Sequence, residues 1–337
     1  MEVPRWLMLR SVHRTAWRYL APPPEALADY PDVWAHLFAA LARLAGAAGE
    51  IWRKGQACDV RFDGDGVVQR HRLSLGAAAE IRPEVIWQRG NYSEYHGVVA
   101  ACPEALTIYY GAGAAWCPPA GRDYDIILVD SPEQLQHVRS KHPRAMCRLL
   151  IKPAVETIFR PVARRKEFDL VAICSRPREF KGMGWLAERL PAGASVLRIG
   201  PADKWFRAAA ADGRLDVTFA GELAPRDIPR QACRARAGAV VDDGKFDSAP
   251  RVLPEMLAMG LPVLVRDTVR VDHGRYVNAF TGLGVNGRNF GRQFEHMMAA
   301  WETYEPREYY RTHLAVEVAA AKLLKQIRCR MRDKTCT

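Results

Sequence analysis

This chain of 337 residues is as informative for what it lacks as for what it holds. Its eight cysteines are scattered without one Cys-x-x-Cys pair, which argues against a zinc ribbon or a thioredoxin-like redox centre and favours reduced thiols. Cys174, inside an apolar run, reads as core. No apolar run approaches the roughly 20 residues that a membrane-spanning helix needs. The most apolar helical stretch, 33–49, is interrupted by His36 and Arg43. The opening Met-Glu-Val-Pro-Arg-Trp-Leu-Met-Leu-Arg scatters charges where a signal peptide keeps an unbroken apolar segment, so the expected location is cytoplasmic. Internal repeats and low-complexity tracts are missing too. Acidic residues are in the minority, 38 against 49 Lys and Arg, and the net charge of +11 attracts anions: nucleotide diphosphates, lipid headgroups, anionic glycans or nucleic acid. In the last segment Lys322, Lys325, Arg328, Arg330, Arg332 and Lys334 face only Asp333, which suits either an anionic membrane surface or a solvated helix end.

What is present is an ordinary globular composition, 49% hydrophobic and 26% charged, with length enough for two domains and a cleft. The first 80 residues show an apolar segment at 6–12, a Pro-rich break at 22–24 and a helix at 33–44. From residue 84 short apolar runs alternate with helical ones: strands at 85–88 and 106–110, a helix at 92–101, a buried strand at 125–130, and a strand at 149–151. Ser131-Pro132-Glu133 reads as an N-cap with Pro at N1, opening a helix to about residue 140. Beyond it, strands are expected at 168–175, 195–200, 217–220, 239–241 and 261–265. Helices are expected at 185–190, 290–301 and, as one long piece, 307–330.

Two segments carry chemistry-bearing residues at loop positions. Ser175-Arg-Pro-Arg-Glu-Phe-Lys-Gly-Met-Gly184 follows a buried strand with a basic, Gly-containing loop, and open α/β sheets bind ligands outside the carboxyl ends of their strands. Asp247-Ser-Ala-Pro-Arg-Val-Leu-Pro-Glu255 sets two carboxylates across a loop entering a helix. Small residues there let a ligand approach the backbone, and first-turn N–H groups favour a phosphate. Taken alone, Asp247 is equally a helix cap and Glu255 a solvated helix residue.

Together with Lys152-Pro-Ala-Val-Glu-Thr-Ile-Phe-Arg-Pro161 and the Phe219-Ala-Gly221 turn, these segments resemble, in order and spacing, the GT-B glycosyltransferases of the GT4 type. In that family the first acid of the Glu-x7-Glu pair is Glu, where this chain has Asp247, and Ala154 stands at a usual Gly. The family's Gly-rich loop and His of the first domain have no recognisable counterpart.

The resemblance implies an α/β fold of GT-B architecture: two Rossmann-like domains facing across a cleft, 1–163 on the acceptor side and 164–306 on the donor side, with 307–337 a helix and basic tail packing back on the first. It implies a retaining transfer from a nucleotide diphosphate sugar to a glycan or lipid-linked acceptor, as in polysaccharide biosynthesis. Arg176, Lys181 and Asp247 would be catalytic. Glu255, Gly182, Ser248, Ala249, Arg251 and Gly221 would hold the donor, and 225–227 would lie near its base. Tyr110, Gly111, Gly113, His13 and His96 are acceptor-side candidates, the two histidines as possible bases. Cations at the leaving diphosphate stabilise the transition state, so neither metal nor cofactor is called for. The expected partners are donor and acceptor, with an anionic membrane surface as a further candidate and no specific nucleic acid. A nucleotide-sugar epimerase of the same fold, a non-catalytic polyanion-binding protein and a degenerate, binding-only glycosyltransferase are the rival readings.

Overall fold

The computed structural model describes residues 4–11, 32–54, 61–62, 67–71, 80–111, 116–119, 121–245 and 249–335. They divide into two compact units, Met1–Pro153 with Val316–Thr337, and Ala154–Ala315.

In the first unit the described strands are β1 (Arg5–Ser11), β2 (Ala48–Lys54), β3 (Arg61–Phe62), β4 (Val67–His71), β5 (Val85–Arg89), β6 (Leu106–Tyr110), β7 (Ile126–Val129) and β8 (Met146–Leu149). They form one sheet in the order β3-β4-β2-β1-β5-β6-β7-β8, antiparallel only at β3–β4. β6 and β7 are buried along their whole length, as strands covered on both faces must be. The Val33–Ala45 helix starts at Asp32, whose carboxylate accepts the Trp34 N–H at 3.2 Å, and ends at Gly46 in the left-handed region, φ 67°. Against it lies the Val316–Thr335 helix, which buries a stripe of Ala319, Ala320, Leu323, Leu324 and Ile327. The Ser131 cap forms with a reciprocal capping box to Gln134.

The second unit is a parallel six-stranded sheet of β9 (Phe168–Ile173), β10 (Ser195–Ile199), β11 (Asp216–Gly221), β12 (Ala235–Val240), β13 (Val263–Arg266) and β14 (Gly282–Val285). Its order is β11-β10-β9-β12-β13-β14. The chain moves outward one way from β9 through β10 to β11, then returns to the other side at β12, so the topological switch point lies between β9 and β12. Leu170, Ala172, Val196, Phe206, Leu264, Phe290 and Met297 build the core. Gly238 of β12 lets the Met256 side chain of the Val252–Ala258 helix lie on the strand, since a Cβ there would overlap its sulfur.

One buried charge fastens the carboxyl ends of β9 and β10. Arg198 is fully buried, with Nε on Asp203 Oδ2 at 2.9 Å and its other nitrogens on the carbonyls of Ala172, Cys174, Ile199 and Pro201. Asp203 also caps the Lys204–Ala211 helix, accepting the Phe206 N–H at 3.0 Å. Every donor of the guanidinium meets an oxygen, the condition under which a buried cation is tolerated.

The expected domain limits differ from these units at both ends. Residues 154–163 belong with the second unit because the Tyr310 hydroxyl accepts the Ala154 N–H at 2.9 Å and donates to its carbonyl at 3.1 Å, while Arg307 pairs with Glu156 at 3.2 Å. Residues 307–315 belong there for the same reason. The long helix expected at 307–330 is two helices, Pro306–His313 and Val316–Thr335. At the break the N–H groups of Leu314 and Ala315 share the Tyr310 carbonyl, just where the chain passes from one unit to the other. The strand expected at 149–151 is Met146–Leu149, and β2, β3, β4 and β14 are additional to the expected set.

Candidate functional site

The switch point of the second unit is flanked by two loops, one leaving β9 and one leaving β12, and the structure locks them together. After β9 the chain makes a 3-10 turn, Glu179–Lys181, and reaches Gly182 at φ 71°. A Cβ on Gly182 would overlap the Val241 carbonyl oxygen, so only glycine lets the loop touch the end of β12. The Asp243 N–H donates to the Phe180 carbonyl at 2.8 Å. Across this seam the Lys181 ammonium meets Asp242 Oδ1 at 2.7 Å, with Lys181 20% and Asp242 8% exposed. The Thr268 hydroxyl holds the Asp242 carbonyl at 2.8 Å. Arg176 is exposed on the same loop. Of the residues expected here, the structure brings Lys181 and Gly182 to the switch point and leaves Arg176 beside it.

Sequence reasoning missed Asp242. The available signal was its place: Val-Val-Asp-Asp ends a buried parallel strand, so a carboxylate emerges where such sheets bind ligands.

Glu255 lies in the first turn of the Val252–Ala258 helix. Burial pushes its carboxyl above the usual carboxylate range, partly offset by Arg251. Arg251 is exposed at the N-cap position. Asp247 and Ser248 lie outside the described residues. Ala249 is buried with φ 39°, a conformation non-glycine residues rarely adopt, and its N–H donates to the Arg270 carbonyl at 2.7 Å. That N–H is therefore engaged within the second unit. Gly221, at the end of β11, is two strands from β9, and the 3-10 turn Pro225–Asp227 follows it. Its φ of 70° explains the glycine without a ligand.

The acceptor-side candidates lie in the first unit. Tyr110 is buried at the end of β6, its hydroxyl donating to the Asp130 carboxylate at 3.1 and 3.2 Å and its ring against Trp34 with centroids 4.7 Å apart. Lys152 reaches Asp130 Oδ2 at 3.5 Å and lies over both rings. Tyr110 is thus a wall of a buried Trp34–Tyr110–Asp130–Lys152 cluster, with Gly111 buried just after it. His96 is also buried, between Asn91 Oδ1 at 2.6 Å and the Tyr124 hydroxyl at 3.0 Å. Burial first and the Arg122 charge second lower its pKa from the ordinary imidazole value. Both ring nitrogens of His96 are thus engaged by side chains of the first unit. His13 and Gly113 lie outside the described residues.

Asp-x-Asp, a pair able to hold a divalent ion, occurs twice in the chain, at 63–65 and 123–125. The first pair lies outside the described residues. In the second, Asp125 accepts from the Thr107 amide and hydroxyl at 2.9 and 3.1 Å and pairs with Lys334 at 3.5 Å, so it ties β6 to the C-terminal helix. Among the described residues no cluster of three or more His, Cys, Asp or Glu is placed to hold a metal ion, and no helix is long and apolar enough to cross a membrane. An open groove of about 670 Å³ runs along the Val316–Thr335 helix, with Leu44, Leu324 and Met331 beside Lys325, Arg328 and Arg332.

No protein-family model and no curated protein sequence matches the chain. Solved structures do. Sucrose-phosphate synthase from Thermosynechococcus elongatus is similar with a TM-score of 0.68 and 14% identity, over 98% of this chain and 100% of that one. A glycosyltransferase from Rickettsia africae has a TM-score of 0.68 and 12% identity, over 98% and 99% of the two chains. HepE from Anabaena, in complex with UDP and glucose, has a TM-score of 0.65 and 10% identity, over 97% and 100%. What this chain shares with them is the fold: α/β, GT-B, built of two Rossmann-like domains.

Proposed function

We propose that this chain is a retaining glycosyltransferase of the GT4 type that moves a sugar from a nucleotide diphosphate sugar to a glycan or lipid-linked acceptor. The observation that carries the reading is Lys181, fixed at the β9/β12 switch point of a GT-B fold, with Arg176 on the same loop and Glu255 in the helix that follows β12. HepE, a structural neighbour, binds UDP and glucose, and the same ligand chemistry suits these residues.

As the bond between the anomeric carbon and the diphosphate oxygen breaks, negative charge gathers on the diphosphate. Lys181 and Arg176 stabilise that charge more than they stabilise the ground state. Glu255 accepts hydroxyl hydrogens of the nucleotide ribose, and Asp247 those of the donor sugar. The acceptor oxygen attacks from the face the diphosphate leaves, and the acceptor proton passes to a departing phosphate oxygen, so configuration is retained. The cationic loop does the work that metal-dependent relatives of other folds assign to a divalent ion.

Screening nucleotide sugars by thermal shift tests the reading, because a ligand at 100 times its Kd adds about 2.7 kcal/mol of stability. A productive donor should lose turnover by about 10²–10³-fold on Lys181→Ala with the fold intact, the size expected for one removed charge contact at a transition state. Undiminished turnover in that variant refutes the site. The basic-rimmed apolar groove supports peripheral attachment at an anionic membrane. Vesicles containing phosphatidylglycerol should retain the protein, and Lys325→Glu with Arg332→Glu should release it; retention by neutral vesicles alone refutes the attachment.

A further inference from the structure

We infer that Asp242 is a positioning residue for Lys181: its carboxylate fixes where the ammonium stands at the switch point and so sets the affinity of the loop for a diphosphate. The inference rests on the donor-site reading above and assigns a residue that the reading itself does not use.

A lysine has four rotatable bonds and a point charge, and on an exposed loop its ammonium samples many positions. Here one position is selected. Asp242 Oδ1 accepts from Nζ at 2.7 Å, and both side chains are largely withdrawn from water. The anchor itself has little freedom, because the backbone of residues 241–243 is held by three contacts, one on Asp242 and one on each neighbour. Gly182 abuts the Val241 carbonyl, the Asp243 N–H reaches the Phe180 carbonyl at 2.8 Å, and the Thr268 hydroxyl holds the Asp242 carbonyl at 2.8 Å. None of the three involves the Asp242 carboxylate, so the side chain can be altered while the seam between the loops stays closed. An ammonium that is already in place when a diphosphate binds loses less rotamer freedom on binding. Against this gain, the carboxylate repels the same anion. For a positioning residue the first effect is the larger.

The two effects separate in a double-mutant cycle read by calorimetric titration of UDP, GDP and ADP. Asp242→Ala is expected to weaken diphosphate binding about tenfold when Lys181 is present. In the Lys181→Met background the same change should leave binding unchanged or tighten it, since no ammonium remains to be positioned and a repelling carboxylate has gone. Asp242→Asn keeps an oxygen in place for Nζ and should bind within about threefold of the unaltered protein. Asp242→Glu moves the anchor by a methylene and should lose affinity as Asp242→Ala does, which preserves the test if the alanine variant does not fold. Equal weakening in both backgrounds indicates a structural role and overturns the inference. Tighter binding of Asp242→Ala with Lys181 present also overturns it, because repulsion then dominates. If the unaltered protein binds none of the three nucleotides, the donor-site reading falls and the inference with it; if it binds one and Asp242→Ala matches it, only the inference falls.

Discussion

Replacing Gly182 by alanine should cost far more than its left-handed backbone alone, and Gly221 supplies the internal control. Both glycines have nearly the same dihedral, φ 71° and φ 70°. A Cβ on Gly221 meets nothing within 4 Å, whereas one on Gly182 overlaps the Val241 carbonyl oxygen. An L-residue in that region costs about 1–2 kcal/mol, offset by about 0.4–1 kcal/mol from the stiffer unfolded chain, so Gly221→Ala should lose about 1 kcal/mol. Gly182→Ala carries the same term and must also part the loop from the end of β12. Parting them breaks the Asp243–Phe180 backbone bond, worth about 1 kcal/mol, and the charged Lys181–Asp242 bond, worth about 1.5–3 kcal/mol. The expected loss is about 3–5 kcal/mol by these increments. Denaturant unfolding of the two variants beside the unaltered chain reads the difference. If the two alanines cost the same within about 0.5 kcal/mol, the scatter of such additive comparisons, the seam at Val241 is not under the steric constraint argued here.

Arg198→Leu should destabilise the protein by about 3–5 kcal/mol, because it strands the Asp203 carboxylate and four carbonyls in the interior, and chemical denaturation would show it; a loss under 1 kcal/mol contradicts the fully engaged guanidinium. Tyr310→Phe removes the hydroxyl that satisfies both polar groups of Ala154 and should cost about 1–3 kcal/mol, with faster proteolysis near residue 154 as a second readout. For Glu255 the folded carboxyl binds its proton more tightly than the unfolded one, so stability falls as pH rises through the window above the ordinary carboxylate range. Glu255→Gln should therefore raise the melting temperature at pH 7 and lose that advantage near pH 4, and an advantage independent of pH would contradict the burial argument.

Much of the fold was legible because it depends on local, periodic chemistry. The Ser131-Pro132 cap, the buried runs of β6 and β7 and the Ala-rich helix at 33–45 each announce themselves through a period or a turn residue. Lys181 and Gly182 were legible as a basic, Gly-containing loop after a buried strand. Less visible was anything that needs a distant partner. Four of the six residues of the Ala235–Val240 strand are alanine or glycine, and its value lies in how closely Met256 and the β9 loop can approach it. That Asn91 and Tyr124 enclose His96, and that Asp130 takes the Tyr110 hydroxyl, depends on such partners. The break at Leu314–Ala315 carries no proline or glycine and follows from the helix changing the unit it packs on.

By itself the sequence determined the alternation of strands and helices, the two-part build and the loops from which charge emerges, since hydrophobic period and turn chemistry act over a few residues. Tertiary structure alone decided that Lys181 stands on Asp242, that Arg198 is a buried bolt and not a ligand contact, and that residues 154–163 join the second unit. Those outcomes are pairings between residues 5 to 156 positions apart, and a pairing energy exists only once packing has brought the partners together and removed the water between them.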